Sequence, residues 1–350
     1  MEFIFDEDQL LLQRTVHDFL ESEVTPEVVR ALWETETGRS PELWGKLAEI
    51  GLPGLLVPEA YGGMGMNEVD AVLLLEEAGR SGLAEPLVST AAVAAPLLAE
   101  LAGETAQEWL PKIASGQALV AVGHPVCPFV EDAHVASLLI LPHDGALFGV
   151  APGTARITPQ KSNDPGRRIA SVDFDEKSAR CLAEGDRAEA LLDAAFDRGA
   201  LASAAAALGA GDRLISEAVA YTRQRKQFGQ PIGAFQAVKH GLANCKVKLE
   251  YARPAVYRAA HSVAQNSPER SLHVSMAKLL ACEAAGFAAK QALQAHGAIG
   301  YTWEQDLHIW MRRAWSLEHA FGRNTFHHDR VRRAVLTGQL PLGPGTTFTN

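Results

Sequence analysis

The sequence is poor in cysteine, and its few cysteines lie far apart. Cys127, Cys181, Cys245 and Cys282 are the only four in 350 residues, and each stands among apolar neighbours, as reduced intracellular thiols do. Neither a Cys-x-x-Cys nor a His-Glu-x-x-His motif occurs, although the chain has 12 histidines. We therefore expect no disulfide framework and no metal site, and we interpret the pair His327-His328 as part of a polar helix face.

Positive charge is also scarce. The chain carries 32 Lys and Arg against 42 Asp and Glu, a formal net charge of -10, without a long basic run, which argues against a nucleic-acid-binding surface. It lacks an apolar run of about 18 residues that would span a membrane. Met1 is followed by Glu2 and Asp6 instead of a basic and then apolar leader, so no export signal is expected. These absences predict a cytoplasmic protein with no membrane span.

The hydrophobic pattern divides the chain into helical and β-prone parts. Helix-period apolar residues dominate the beginning and the second half, and short β-prone runs lie between them. The runs that we predict as strands are residues 118–122, 135–141, 146–151 and 168–174. We therefore predict a mainly α protein with a small β domain. Its expected parts are an N-terminal helical domain over residues 1–116, a middle β domain over 117–184, a C-terminal four-helix bundle over 185–338 and a loose tail over 339–350.

Two local patterns give sharper expectations. Asp144-Gly145 separates two β-prone runs and is typical of a two-residue hairpin turn. The pair Glu76-Glu77 lies within a helical pattern. Adjacent carboxylates on a helix favour a solvated face over a catalytic pair, so we predict that both are exposed.

The most unusual stretch is Tyr221-Thr-Arg-Gln-Arg-Lys-Gln-Phe-Gly-Gln-Pro-Ile-Gly-Ala-Phe-Gln236, which joins two long helical patterns. It predicts a helix, a tight turn and a helix, because glycine and proline interrupt the pattern. Cations at the end of the first helix complement the negative end of its dipole, which is one sufficient reason for them. A guanidinium, two amides and a ring at one corner also suit a ligand with a diphosphate and an aromatic plane, and the stretch offers Arg225, Gln227, Phe228 and Gln236. Spacing alone leaves both interpretations open.

A second cluster lies where a helical pattern runs into a glycine-bearing loop, Gln291-Ala-Leu-Gln-Ala-His-Gly-Ala-Ile-Gly-Tyr-Thr-Trp-Glu304. Gly297 and Gly300 are typical of a helix stop. Gln294 and the loop amides are also suited to receive phosphate oxygens, because glycine has no side chain that would hold a ligand away.

Together these motifs resemble those of the acyl-CoA dehydrogenases. The resemblance is carried by Arg225-x-Gln-Phe-Gly-x-Pro-Ile-x-x-Phe-Gln236 and, later in the chain, by Gln294-x-His-Gly-x-x-Gly-Tyr-Thr302. It extends to Gly51-Leu-Pro-Gly-Leu-Leu-Val-Pro-Glu-Ala-Tyr-Gly-Gly63 and to Glu76-Glu-Ala-Gly-Arg80, in the family's order and spacing. It implies the family's three-part fold, an acyl-CoA substrate and flavin adenine dinucleotide (FAD) bound where subunits meet.

The family pattern also implies a role for each matching residue. In that pattern one subunit contacts the diphosphate and adenosine of a flavin that its neighbour largely holds. The matching residues here are Arg225, Gln227, Phe228, Gln236, Gln294, His296 and Gly297. The resemblance further implies a homo- or hetero-oligomer, in the form of a tetramer, and an electron-transferring flavoprotein as the electron acceptor.

The chain departs from the family at the catalytic base. The family reaction removes hydrogens from Cα and Cβ of an acyl-CoA thioester: a glutamate takes the α proton while hydride goes to the flavin. Such a base needs a dry pocket that raises its pKa. The two positions at which family members place it correspond here to Gly199 and Phe321, neither of which accepts a proton. The middle domain also has Gly123-His-Pro-Val-Cys-Pro-Phe129 where the family has hydroxyl residues that contact flavin and thioester.

Three hypotheses follow. In the first, the chain completes the flavin site of a second, base-bearing subunit in an α2β2 assembly; the family has such unequal pairs among enzymes acting on CoA thioesters of steroid side chains and ring fragments. In the second, it is a self-sufficient homo-oligomeric dehydrogenase with a displaced base, either Asp197 or Glu318, although each more simply reads as an ordinary surface or helix-end charge. In the third, it is a structural homologue that binds neither flavin nor CoA.

Overall fold

Helices in the N-terminal part begin where the sequence offers caps. In this computed structural model, which describes residues 4–338, Asp6 and Gln9 exchange side-chain and backbone hydrogen bonds in a capping box. The helices are α1 (Glu7–Glu23), α2 (Pro26–Trp33), α3 (Pro41–Glu49), α4 (Glu68–Ser81), α5 (Ala95–Leu101) and α6 (Gly103–Ala114), with a π-helical segment, Leu87–Ala94, leading into α5. The tail predicted over 339–350 lies outside the described residues.

Two small sheets follow the helices. Strands β1 (Val120–Val122), β3 (Leu138–His143), β4 (Ala146–Val150) and β7 (Arg180–Glu184) form one sheet in the order β1-β3-β4-β7. Strands β2 (Val130–Glu131), β6 (Ile169–Phe174) and β5 (Ala155–Gln160) form the other in the order β2-β6-β5. His143 pairs with Ala146 across the Asp144-Gly145 turn, so the predicted hairpin is present.

The C-terminal half is again helical. Helices α7 (Gly185–Gln224), α8 (Gln236–Ala264), α9 (Arg270–His296) and α10 (Leu307–His319) pack as a bundle, and α11 (Asn324–Leu336) packs on α9. Two short strands, β8 (Lys226–Gln227) and β9 (Gln230–Pro231), link α7 to α8. The backbones of α4 and α7 touch: a Cβ on Gly209 would lie 1.8 Å from the Glu76 carbonyl oxygen. The predicted fold class, mainly helical with a small β domain, is confirmed.

The prediction of a solvated Glu76-Glu77 pair was wrong. Both side chains are buried, because α4 is enclosed by α1, α7 and α8. Glu76 is paired with Arg253 of α8 and accepts a hydrogen bond from the Tyr257 hydroxyl at 3.1 Å. Glu77 contacts His17 of α1 at 2.8 Å. Partners from other helices thus replace the solvent that the local pattern predicts.

All four cysteines are free. Cys245 and Cys282 are buried, but Cys181 is exposed on the edge strand β7, contrary to the apolar surroundings predicted for it.

One surface cluster has side chains of the types that bind metal ions. The ligand atoms of His143, Asp144 and Glu176 lie within 4.8 Å of one another, close enough for one ion. Exposed acidic groups of this kind are common in proteins without a metal.

One helical stretch has the length and composition of a membrane span. Residues Arg270–Tyr301 contain an 18-residue window with mean hydropathy 1.2. However, 61% of that window is buried inside the molecule, where α9 packs against α7 and α8. A core helix of a bundle has the same composition, so this stretch carries no argument for a membrane.

Candidate functional site

The stretch between α7 and α8 folds as a tight hairpin that projects from the end of the bundle. Lys226 pairs with Pro231 and Gln227 with Gln230, so Phe228 and Gly229 form the two-residue turn. Phe228 has φ 52° and Gly229 φ 81°. A left-handed backbone is costly for a bulky residue, yet the Phe228 side chain is 91% exposed. An aromatic ring held outward at such a cost indicates a surface that meets something outside this chain.

The polar side chains of this hairpin corner are also free to bind. Arg225, Gln227 and Gln236 are exposed, and none of them has a side-chain hydrogen bond within residues 4–338. The last turn of α7 is closed by the backbone instead, from the Arg225 amide to the Tyr221 carbonyl at 2.9 Å. Helix capping therefore does not employ the Arg225 guanidinium, which remains available for a phosphate.

The loop after α9 lies beside the hairpin corner. The ring of buried His296 stacks on Tyr221 with centroids 4.3 Å apart, and its Nδ1 lies 2.8 Å from the Ala292 carbonyl oxygen. Gln294 and Gly297 are exposed, and Gly297 has φ 67°. The two predicted motifs thus meet at one end of the bundle. His296, whose ring is already engaged, positions the loop, whereas Gln294 and Gly297 are accessible to a ligand.

The two positions expected to hold a catalytic base meet inside the molecule. Gly199 is buried in α7, and Phe321 follows α10 with φ 48°. A Cβ on Gly199 would lie 2.1 Å from the Phe321 ring, so the phenyl group rests directly on the glycine. The space in which a carboxylate at either position would lie is therefore occupied by a hydrocarbon ring that cannot accept a proton.

More aromatic rings surround Phe321. Phe196 lies 6.4 Å from Phe321 and 4.6 Å from His124, and it is stacked on His327 at 6.0 Å, all between ring centroids. His327 is buried, contrary to the predicted polar helix face, with Nε2 2.9 Å from the Phe321 carbonyl oxygen and Nδ1 3.1 Å from the Ser275 hydroxyl. Burial lowers the pKa of both His124 and His327 to about 4, so both rings are neutral at pH 7.

The two candidate displaced bases have different surroundings. Asp197 is fully buried, contrary to a surface charge, and its carboxylate contacts Arg330 at 3.0 Å, Arg270 at 3.5 Å and the Ser271 hydroxyl at 2.6 Å. Two guanidinium groups and one hydroxyl thus already occupy the Asp197 carboxylate oxygens. Glu318 is half-buried and accepts a hydrogen bond from the Asn324 side chain at 3.1 Å.

An open cavity of about 540 Å³ lies against this aromatic cluster. Its lining includes His124, Phe196, Asp193, Glu269, Arg330 and Arg333. Apolar side chains, among them Phe196, Leu272 and Phe326, lie beside acidic and basic ones in its wall. Arg330, one of the basic ones, is already bound to Asp197.

Two residues of this region, Tyr221 and Lys278, have structural roles that the sequence motifs did not predict. Tyr221 provides the stacking surface for His296, and its place at the head of the hairpin motif was the available signal. Lys278 is fully buried and donates to the Leu317 carbonyl oxygen, so it caps the end of α10 from inside, while burial lowers its pKa. A lysine inside an apolar helical pattern gave no hint of that role.

The contact between Gly199 and Phe321 makes a prediction for stability. We expect Gly199→Ala to lower the free energy of unfolding by about 1–2 kcal/mol, because overpacking against the ring exceeds the gain in helix propensity. Gly199→Ala combined with Phe321→Ala should lose less than the sum of the two single variants. Gly45→Ala is the control: Gly45 lies within α3 with nothing within 4 Å of its Cβ direction, so it should not destabilise. Urea unfolding followed by circular dichroism measures the free energy of unfolding of all four variants. If the losses of Gly199→Ala and Phe321→Ala simply added up in the double variant, the two residues would not be in contact.

Comparison with known protein families identifies two parts of the chain. The model of the acyl-CoA dehydrogenase C-terminal domain matches residues 190–336, and the model of the acyl-CoA dehydrogenase N-terminal domain matches residues 6–117. The first match contains the hairpin corner and both base positions. The second contains the glycine- and proline-rich loop and the Glu76-Glu-Ala-Gly-Arg80 segment.

Individual relatives agree with these matches. The acyl-CoA dehydrogenase IpdE2 of Mycolicibacterium smegmatis is 36% identical over 310 residues, which cover 88% of this chain and 92% of that protein. IpdE2 of Mycobacterium tuberculosis is 32% identical over 310 residues, which cover 88% and 91%. Among solved structures, the ChsE4-ChsE5 complex from Mycobacterium tuberculosis has a TM-score of 0.86 at 26% identity, covering 98% of this chain and 100% of the matched one.

Proposed function

Because this chain belongs to the acyl-CoA dehydrogenase family, we propose that it supports the α,β-desaturation of an acyl-CoA thioester by completing the FAD site of a second subunit. That second subunit is a homologue with a catalytic glutamate. The two form a hetero-oligomer, an α2β2 tetramer, with an electron-transferring flavoprotein as electron acceptor. The cytoplasmic location stays a prediction.

A contrast between two ends of the bundle carries this proposal. At the hairpin corner, the side chains of Arg225, Gln227 and Gln236 are exposed and have no hydrogen-bond partner in the described part of the chain. At the base position, the Phe321 ring packs on Gly199. The residues that would serve a neighbour's flavin are thus available, and those that would deprotonate a substrate are missing.

The corner residues fit the part of FAD that lies between its two ring systems. The Arg225 guanidinium can hold two phosphate oxygens at once, and the Gln227 and Gln236 amides can donate to diphosphate or ribose oxygens. The exposed Phe228 ring offers a surface for adenine, and Gln294 with the Gly297 amide adds donors from the α9 loop. When bound, FAD supplies the acceptor for the hydride that leaves Cβ.

The relatives support an unequal pair of subunits. The matched ChsE4-ChsE5 structure is a complex of two differently named proteins, and the match covers the whole of one of its chains. We infer a bulky acyl-CoA, such as a thioester of a steroid fragment, from the family's unequal pairs.

Co-expression tests the proposal directly. We expect the purified chain to be pale and inactive toward acyl-CoAs with a dye acceptor, because it lacks a base and half of a flavin site. Co-expressed with a base-bearing homologue from a neighbouring gene, it should co-purify as a yellow, active complex. Absorbance at 450 nm and dye reduction measure the two properties. A chain that is yellow and active on its own would overturn the proposal.

The alternative is a self-sufficient homo-oligomeric dehydrogenase with Asp197 or Glu318 as base. Glu318 is the stronger candidate, because it is half-buried beside the Phe321 turn and has no arginine partner among residues 4–338, whereas Asp197 has two. Assays of Asp197→Ala and Glu318→Ala decide this alternative: if both retain full turnover, neither is the base. A structural homologue that binds neither flavin nor CoA, the third hypothesis, would have no physical reason to keep Arg225 beside a strained, exposed Phe228 when the Arg225 side chain has no partner among residues 4–338.

A further inference from the structure

Lys278 of α9 is a fully buried lysine without a carboxylate partner. Its Nζ donates to the Leu317 carbonyl oxygen and to the Cys282 sulfur, which lies 3.5 Å away. No carboxylate among residues 4–338 lies within ion-pair distance of this nitrogen, although a buried charge ordinarily needs a partner of opposite charge. Within the described residues, the acidic group in contact with the amine is therefore the Cys282 thiol.

Cys282 is buried beside this amine on the same helix. Four residues separate the two on α9, which places both side chains on one face, and Cys282 is 1% exposed. Burial lowers the pKa of Lys278 and raises the pKa of Cys282, so the amine and the thiol are both held toward their neutral forms. A desolvated, neutral lysine amine is a nucleophile. The pair thus brings two reactive groups into contact in the interior.

We propose that Lys278 and Cys282 form a redox modification site, at which hydrogen peroxide links the two side chains through a sulfur–nitrogen bond. The amine first takes the thiol proton, and the thiolate attacks one peroxide oxygen, which gives a sulfenic acid and hydroxide. The hydroxide regains that proton and leaves as water. The Nζ lone pair then attacks the sulfur, and the sulfenic hydroxyl leaves with an amine proton as a second water. The sulfur has lost two electrons to peroxide, and the product is a sulfenamide.

The surroundings of the other thiols set this pair apart. Among the four cysteines, Cys282 is the one with an amine in hydrogen-bond contact within residues 4–338. The equally buried Cys245 of α8 donates to the Gly241 carbonyl oxygen at 3.2 Å, and exposed Cys181 contacts a Glu184 carboxylate oxygen at 3.4 Å. A sulfenic acid at Cys282 therefore has a nitrogen nucleophile beside it, and the flexible lysine stem can close the remaining distance.

The link acts on the end of α10. Bonding to sulfur draws Nζ toward Cys282 and leaves it a single N–H for the Leu317 carbonyl oxygen, which it caps in the reduced protein. Phe321, whose ring packs on Gly199, follows four residues later. Oxidation at this site is thereby coupled to the turn that holds the phenyl ring at the base position.

Peptide mapping of the full chain tests the link. Trypsin cuts after Lys278 in the untreated protein, so residues 271–278 and 279–290 are separate peptides. After treatment with hydrogen peroxide, followed by unfolding and blocking of free thiols, we expect one peptide of residues 271–290. It should be uncut at Lys278, carry no blocking group on Cys282 and weigh two hydrogens less than the unlinked peptide of the same residues. Dithiothreitol should restore the cleavage and the free thiol, because the sulfenamide is reversible.

Three cysteines provide the controls. Cys282→Ser removes the sulfur but keeps a small polar group beside the amine, so its chain should be cut at Lys278 before and after peroxide. Cys245 is equally buried without an amine in contact, and it should not form a link. Oxidation of exposed Cys181 shows that peroxide has acted. We expect Cys282 to react more slowly than Cys181, since a buried sulfur is reached only through local opening of the fold.

Each of three results overturns the proposal. In the first, Cys282 stays a free thiol in the peroxide-treated wild type although Cys181 has been oxidised. In the second, Cys282 is oxidised to a sulfinic or sulfonic acid while cleavage at Lys278 remains complete. In the third, the link forms as readily in urea-unfolded protein as in the folded chain, which would mean that the packing of α9 against α10 has no part in it.

Discussion

Arg225→Ala is expected to remove most of the flavin from the assembled complex. Within the proposed function, this substitution deletes a charge-assisted contact with the diphosphate worth about 1.5–3 kcal/mol, which corresponds to a roughly 10- to 150-fold weaker affinity. The loss should be large because Arg225 has no partner within the described residues that would compete for the guanidinium. Absorbance at 450 nm after gel filtration, followed by titration with added FAD, measures the affinity.

A neighbouring arginine provides the control for charge. Arg223 is exposed on the last turn of α7, two residues earlier, and it lines a groove between α7 and α8. Arg223→Ala removes the same charge and should change flavin affinity little. Arg225→Lys should fall between the two, because lysine keeps the charge but not the planar fork. Equal flavin retention in Arg225→Ala and the wild-type complex would remove the role assigned to Arg225.

The hairpin corner could be predicted from the sequence because its residues are close along the chain. Within residues 221–236 the turn chemistry fixes the local geometry, and the structure has the helix, two-residue turn and helix that the pattern indicates. The exposure of Phe228 could not be predicted, since an apolar ring in a turn is ordinarily expected to pack inward. The stack of His296 on Tyr221 likewise depends on how α7 and α9 meet.

The strands show where local patterns fail. The hydrophobic runs that became β3 and β4 were predicted, because their side chains are largely buried. β5 was missed: it has no fully buried residue, contains Pro159, and lies at the edge of its sheet. β7 was missed for a similar reason, as an exposed edge strand. Edge strands bury too little apolar surface to produce a clear alternating pattern.

Contacts between distant residues account for the other errors. The family resemblance identified Gly199 and Phe321 as two separate base positions, but their direct contact follows from the packing of α7 against the turn after α10. Glu76 was predicted to be solvated because its partner, Arg253, is 177 residues away. Nothing near Glu76 in the sequence predicts that an arginine from α8 will enclose it.

That largely buried pair leads to a prediction for stability. We expect Arg253→Met to lower the free energy of unfolding by about 3–5 kcal/mol at pH 8, because it leaves the Glu76 carboxylate buried without its cation. Burial already raises the pKa of Glu76, and Arg253 is the main influence that lowers it, so the variant should raise the pKa further. A carboxyl group whose folded-state pKa lies above its unfolded value loses stability as the pH rises through that folded-state pKa. The destabilisation should therefore be smaller at pH 5 than at pH 8.

Two further variants show how much of the expected loss comes from leaving a charged group buried without its partner. Arg156→Met removes an arginine that contacts Asp173 at 3.0 Å in a largely exposed pair, and such a pair should contribute at most about 1 kcal/mol. Glu76→Leu together with Arg253→Met removes both buried charges and should recover most of the loss, since the desolvated carboxylate is gone. Urea unfolding of the wild type, of the two arginine variants and of the double variant, each at pH 5 and pH 8, measures these free energies. If Arg253→Met cost no more than Arg156→Met, or cost the same at pH 5 and pH 8, Glu76 would have to be hydrated in the folded protein.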